Sequence, residues 1–354
     1  MGKYYYFPIL KTRDAELKGI DRLDSEVKDC ILPIFELTRS RRTKNNNEGD
    51  IWKRIDQIKD AVGVRPFALD VTQLPTLSNA QTAQLLSSND NFSSWVNFIR
   101  EVKGRGLNVI PTIHFDPDDL NSSKEEIVNL LKLSEFLLFR VDVRDSDVID
   151  ILKKLERVCD FSRLIVLLDA GFQSLEETPS GNFKTIYDEA INELNLSKKR
   201  PKAIICALST FPAYVLGNGY GREDAHDKFL IGENITNKAL GKEIFHGDYA
   251  AIHPNIQEGG GGWVPRIDFT NEDNFYYYRY RREEGGYVEA AKKIIASPHY
   301  CEIDNIRTWA DEEIKLASRG IPNGRNPGHW IAVRVNLFVT KQFIRLRKSS
   351  GFSL

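Results

Sequence analysis

Eight short apolar runs rich in β-branched and aromatic residues recur along this chain, and amphipathic stretches with charged faces separate most of them. The runs are Tyr4 to Leu10, Ile31 to Leu37, Val64 to Val71, Leu107 to His114, Phe136 to Val143, Arg163 to Asp169, Lys202 to Leu208 and Asp248 to Ile252. Between them, apolar residues return every three or four positions at Ala15 to Lys28, Asp50 to Ala61, Phe92 to Gly104, Lys124 to Leu133, Ser146 to Cys159 and Lys184 to Leu196, which predicts helices there. Strands that are continuously apolar are buried on both faces, and alternation with helices calls for a parallel sheet covered by those helices. Eight such units in succession predict a closed (β/α)8 TIM-like barrel rather than an open doubly wound sheet. The first helix also lacks the GxGxxG opening of dinucleotide-binding folds.

The last third departs from the repeat. Val264 to Thr270 and Phe275 to Arg281 alternate around the turn sequence Asn271-Glu272-Asp273-Asn274, which predicts a β-hairpin inserted at 264–281. A helix at Tyr287 to Ser297 is expected to close the eighth unit, and Trp309 to Ser318 gives another. His329 to Arg347 reads equally as helix or strand. The whole chain, 1–354, reads as one barrel domain with this hairpin and a C-terminal extension at 299–354.

A hydrophobic share of 41% with 28% charged residues supports a folded core and excludes a disordered chain. No run of about 18 apolar residues is present to cross a bilayer, and MGKYYYFPIL has neither the apolar centre nor the cleavage site of a signal peptide, so a cytoplasmic location is expected. Cys30, Cys159, Cys206 and Cys301 are widely spaced and read as reduced core thiols. A net charge of −1 argues against coating nucleic acid by bulk electrostatics.

Polar residues fall where the barrel needs a reason for them. Strand one ends in Lys11, two in Glu36, three in Asp70, four in His114, five in Asp142 preceded by Arg140, and six in Asp169; the eighth carries Asp248 and ends at His253. Single residues of this kind serve as helix caps or ion pairs, but six or seven on one rim point to a shared ligand. Glu36, Asp70, Asp142 and Asp169 suit Mg²⁺ or Mn²⁺, although no compact metal motif is present. The loop Thr38 to Lys44, with Arg39 and Arg41, follows Glu36, and Lys11, Arg13, Arg222, Arg279, Arg281 and Arg282 map to the same side. Such a group predicts a phosphate-bearing ligand, a nucleotide or nucleic acid. Gly217 to Arg222 could wrap phosphate after strand seven, and Tyr278 with Arg279 could stack a base, though a turn and a packed hairpin face are the plainer readings.

Several segments resemble the Beta protein family. They are Tyr6-Phe7-Pro8-Ile9-Leu10-Lys11 with Ala15-Glu16-Leu17, Pro33 to Thr38, His246 to Pro254, Trp309-Ala310-Asp311 and Gly328-His329-Trp330. The chain departs from the family pattern at Ala310, where glycine is usual, and at Trp330, where a second histidine is usual. The resemblance implies a protein of phages, satellite phages and bacterial defence regions, with a protein partner from the same locus, and supplies no mechanism.

Two functions follow as expectations. One is a hydrolase of phosphodiester bonds in nucleotides or nucleic acids, with Glu36, Asp70, Asp142 and Asp169 on the metal, His114 and Asp169 in catalysis beside Lys11 and Glu36, and Arg39, Arg41, Arg222, Asp248, His253, Tyr278 and Arg279 binding substrate. The other is a module that binds a nucleotide or restrains a protein partner without chemistry. A carbohydrate-active barrel with paired carboxylates Glu36 and Asp169 is a third.

Overall fold

A computed structural model describes residues 4–44, 46–175, 182–214, 228–241, 244–255, 263–300, 306 and 308–349. Strands β1 (Tyr6–Lys11), β2 (Ile34–Leu37), β3 (Phe67–Val71), β4 (Val109–Pro111), β5 (Leu137–Asp142), β6 (Leu164–Phe172) and β7 (Ala203–Ser209) run along the chain in that order. After them come β8 (Lys228–Leu230), β9 (Phe245–Asp248), β10 (Arg266–Thr270) and β11 (Asn274–Arg279). Eight strands form one parallel sheet in the order β4-β3-β2-β1-β9-β7-β6-β5. Its two edges meet at a short seam, where Thr112 bridges Leu138 and the Ile113 N–H donates to the Leu138 carbonyl at 2.8 Å. The sheet is therefore a nearly closed (β/α)8 barrel. Pro111 has no N–H to give, which helps keep the β4 side of the seam short.

The helices are α1 (Asp14–Asp21), α2 (Ser25–Cys30), α3 (Ile51–Val62), α4 (Ala80–Leu85), α5 (Ser93–Gly104), α6 (Leu120–Leu131), α7 (Val148–Val158), α8 (Thr185–Leu196), α9 (Gly232–Leu240), α10 (Gly286–Ala296), α11 (Trp309–Ser318) and α12 (Pro327–Ser349). In α3, Ile51, Ile55, Ile58 and Val62 make the buried stripe, the Asp50 carboxylate accepts the Trp52 N–H at the start, and Gly63 ends it at φ +63°. The single helix expected over Ala15 to Lys28 is two, because the chain turns at 22–24 and Asp24 caps α2 by accepting the Glu26 N–H.

Three expectations change. The eighth barrel strand is Phe245–Asp248, so Asp248 ends a strand that was expected to start there. Helix α10 does not cover the barrel; its Tyr287, Ala290, Ala291 and Ile294 pack under the hairpin with Ile267, Phe269, Tyr276, Tyr278 and Tyr280. Helix α12, left open between helix and strand, takes the eighth outer position beside α1. It is buried on both sides: Val335, Phe338, Val339, Phe343 and Leu346 join the barrel core, while Trp330, Val333 and Leu337 join the hairpin core. A stretch apolar on two faces has no clean period, which is why the sequence left it unassigned. A side-chain carbon on Gly19 would lie 2.8 Å from Val335 Cγ1, so glycine is what lets α1 and α12 meet. Asn336 fixes the contact, donating to the Gly19 carbonyl and accepting the Ala310 N–H.

The predicted hairpin is present as antiparallel β10 and β11, with β8 as a third antiparallel strand on β11. Cys159 and Cys206 are buried free thiols, while Cys301 lies outside the described residues. Among the described residues no helix is long and apolar enough to cross a membrane.

Candidate active site at the barrel mouth

Strand residues alternate between the lumen and the helix layer. Phe7, Ile9, Ile34, Ala68, Leu138, Ile165, Leu167, Ala203, Ile205 and Ala207 fill the lumen as one apolar cluster. Two residues further along each strand, the same alternation puts Lys11, Glu36, Asp70, Arg140 and Asp169 on top of that plug, joined by Tyr249 just past β9. The apolar layers exclude water from below, so these groups form a charged floor open only from above.

Arg140 is the centre of the floor. Its Nη1 donates to Glu36 Oε1 at 2.6 Å and Asp70 Oδ2 at 2.9 Å; Nε and Nη2 donate to Asp169 Oδ2 at 2.9 and 2.7 Å; Nη2 also reaches the Tyr249 hydroxyl at 2.9 Å. The Tyr249 hydroxyl donates to Asp169 Oδ2 at 2.5 Å, and Lys11 Nζ lies 2.8 Å from Glu36 Oε2. Backbone N–H groups of Val71 and Gly171 hold the remaining oxygens of Asp70 and Asp169. Gly171 sits at φ +60°, and a side-chain carbon there would come within 3.0 Å of the Arg144 guanidinium.

The electrostatics follow from this packing. Burial alone would raise the Glu36 carboxyl, but Lys11 and Arg140 hold it down at about 2. Asp70 moves the other way, because burial and the neighbouring Glu36 charge outweigh Arg140. Burial, and then the Asp169 charge, push Tyr249 well above the phenol range, so it remains a hydroxyl donor.

Above the floor lies a cavity of about 670 Å³. Its basic lining is Lys11, Arg140 and Arg144, set against the acidic Glu36, Asp70, Asp116, Asp142, Asp145 and Asp169. Among the described residues the mouth is thus rich in carboxylate, where a basic rim was expected.

The structure brings Lys11, Glu36, Asp70 and Asp169 together on the floor and puts Asp142 on the outer lip, paired with Arg144 at 2.5 Å. His114 is in the side wall, where burial lowers its pKa to about 3. An imidazole of so low a pKa is neutral at ordinary pH, a poor proton donor and a weak base. The His253 ring lies tilted against Phe172 at the rim, with ring centroids 4.6 Å apart.

Five residues expected to bind substrate lie elsewhere. Asp248 faces outward into the helix layer, fully buried, accepting from Tyr6 and paired with His246. Strand parity explains this, since Gly247 and Tyr249 take the inward positions. Arg39 donates to the Thr76 carbonyl, and neither it nor exposed Arg41 lines the mouth. Tyr278 is packed in the hairpin core, and Arg279 lines a separate cavity of about 340 Å³ beside Arg266, Trp263 and Trp330. Arg222, the Gly217 to Arg222 loop and the glycine run before Trp263 lie outside the described residues.

Sequence reading undervalued Arg140, taken only as a neighbour of Asp142, and missed Tyr249. Both could have been found by counting in twos, from Leu138 to Arg140 and from Gly247 to Tyr249.

Comparison with known proteins agrees with the resemblance in the sequence. Residues 6–344 match the model of the Beta protein family. The chain is 31% identical over 349 residues to "Protein beta" of Enterobacteria phage P4, covering 96% of this chain and 93% of the phage protein. Among solved structures, a GH18 chitinase from Pseudoalteromonas aurantia aligns at a TM-score of 0.40 with 11% identity, over 69% of this chain and 92% of the chitinase. A match of this length makes this chain, whose Gly247-Asp248-Tyr249 segment gives the mouth its tyrosine, a member of the Beta protein family.

Proposed function

We propose that this protein is a recognition barrel that binds a small, donor-rich ligand in the mouth cavity, with the Arg140 network as its rigid floor. The observation that carries the reading is that one guanidinium bridges three carboxylates which a reaction would need free. Glu36 near 2 and His114 near 3 are both far from the values that suit proton transfer at neutral pH. The carboxylate excess favours hydroxyl, amine or guanidine groups on the ligand; a bare phosphate would be repelled, and a nucleotide would enter with its phosphates outward and neutralised by a counter-ion. A thermal-shift panel of nucleosides, magnesium nucleotides, polyols and spermidine tests this. A saturable shift with one class, lost in Asp70→Asn or Asp142→Asn, is the expected result; no shift with any class sinks the reading.

The raised carboxyl of Asp70, open to the cavity, favours a second reading, metal-assisted phosphodiester hydrolysis. As they stand, Glu36, Asp70 and Asp169 do not fit an ion, because Arg140 fills the point where they converge. Manganese titration by calorimetry, with turnover of bis(p-nitrophenyl) phosphate with and without EDTA, discriminates. EDTA-sensitive turnover would put this reading first.

A further inference from the structure

The hairpin annex holds a second cavity, of about 340 Å³. Its lining is aromatic and cationic: Trp263, Tyr287 and Trp330 with Arg266 and Arg279, and Asp268 as the one carboxylate among the described residues that line it. Strand register explains why these charges gather. Arg266 on β10 stands directly opposite Arg279 on β11, and Asp268 lies two residues along from Arg266, so the three share one face of the hairpin.

Two cations opposite each other across an antiparallel pair repel, with Cβ atoms only about 4.5–5.5 Å apart. Asp268 does not settle the balance, because it is shared with a further guanidinium: Arg266 Nε lies 3.1 Å from one of its oxygens and Arg334 Nη1 2.9 Å from the other. Arg266 gives Asp268 its Nε–H. The two terminal nitrogens of Arg266 make no hydrogen bond with a described residue, and they stay reachable, since the side chain is 26% exposed and neither nitrogen is sealed off. The start of α12 adds to the positive field, because Pro327, Trp330 and Ile331 line the cavity and the first turn of that helix carries no acidic residue. Beside the charges stands apolar surface. Trp263 is 44% exposed at the rim, with the Arg282 guanidinium 4.7 Å from its ring centre, and Trp330 stacks on Tyr287 with centroids 5.2 Å apart.

We infer that the annex cavity is a second binding site, for a small aromatic anion, a carboxylate or phosphate borne on a flat ring. Arg266 and Arg279 share the anionic group, and Trp263 takes the ring. An anion held between the two guanidiniums turns their repulsion into a clamp of charge-assisted hydrogen bonds, and the half-exposed indole gains cover from water. The inference does not rest on the mouth, whose carboxylates repel the same ligand.

The test uses the full chain at low salt, with benzoate, phenyl phosphate, inorganic phosphate and benzyl alcohol as probes in calorimetry. Benzoate or phenyl phosphate should bind saturably and more tightly than inorganic phosphate, which lacks the ring, and benzyl alcohol, which lacks the charge; the tighter of the two names the anion. Arg266→Gln, which leaves Asp268 paired with Arg334, should weaken that binding about tenfold or more, and Arg266→Lys, which keeps the charge, should weaken it less. Trp263→Ala, at the exposed rim, should weaken it about threefold. Arg41→Gln, which removes an exposed charge elsewhere, should leave it unchanged, and all of these variants should melt cooperatively. Aromatic anions that bind no more tightly than benzyl alcohol or inorganic phosphate overturn the inference, as does binding unchanged in folded Arg266→Gln or lowered equally by Arg41→Gln. If Arg266→Gln fails to fold, Trp263→Ala and Arg279→Gln decide, and binding unchanged in both overturns the site.

Discussion

The barrel mouth and the hairpin annex are built from the same ingredients, arginine, aspartate and tyrosine, and put them to different uses. At the mouth, Arg140 and Asp169 come from two strands and Tyr249 from just past a third, and they meet because each sits at the same level and parity of a cylinder. In the annex, Tyr276 and Tyr278 of β11 and Tyr280 just past it alternate into a helix-covered core, while Arg266 and Arg334 share Asp268. The difference teaches that residue type does not mark a site in this fold. Parity and level along a strand do, since they decide whether a charged group reaches a cavity or a neighbouring helix.

Substitutions can break this contrast at either end. The largest effects are expected from Arg140→Met at the mouth and Trp330→Ala in the annex, each costing about 3–5 kcal/mol in urea unfolding, one by stranding three buried carboxylates and the other by emptying a packed ring site. They separate by pH. Acid should shrink the cost of Arg140→Met as the carboxylates take up protons and leave that of Trp330→Ala unchanged; equal pH behaviour would show that the mouth is held by packing alone.

Next in size, Tyr249→Phe removes the hydroxyl shared by Asp169 and Arg140 while keeping the ring, and should cost about 1–3 kcal/mol. A neutral result in the same unfolding assay would take Tyr249 out of the floor.

Titration gives the smallest and most specific effects. Glu36 has a folded value of about 2 against an ordinary 4.5, so its stabilisation is fully present above pH 4.5 and is lost as pH falls through 2. Glu126 is the reverse: burial raises it from 4.5 to about 8, so the folded chain favours the protonated form and loses stability as pH climbs from 4.5 to 8. Glu126→Gln should flatten the decline between those values, and Glu36→Gln the loss in acid. Stability profiles of the two variants that superimpose on the parent would contradict the assigned environments.

Much of the fold was legible because seven of the eight barrel strands announce themselves as apolar runs at regular spacing. The eighth did not: Phe245–Asp248 contains a histidine, a glycine and an aspartate in four residues, so the apolar signal lay just beyond it in Tyr249 to Ile252. Helix α9 was also hidden, since it buries Gly232, Glu233, Asn234 and Thr236 and shows no apolar stripe. At the site, Lys11, Glu36, Asp70 and Asp169 were visible as charges ending apolar strands. What could not be read was their partnership, because a hydrogen bond from Arg140 to Glu36 spans 104 residues and depends on the cylinder being shut. Arg39, Arg41 and Arg279, expected at the rim, stand elsewhere for a related reason: strand ends fix where a residue stands, whereas loops and an added hairpin do not.

The late position of α12 has a consequence for how the molecule is made. A ribosome delivers the first strand and α1 more than 300 residues before Pro327–Ser349, the helix that shields their outer flank. Until that segment emerges, the Gly19 notch that Val335 fills lacks its cover, and the nascent chain carries this unsheltered flank for some tens of seconds at ordinary elongation speeds of about 5–20 residues per second. Nascent chains stalled before Pro327 should therefore be chaperone clients and protease-sensitive, whereas those released after Ser349 should not.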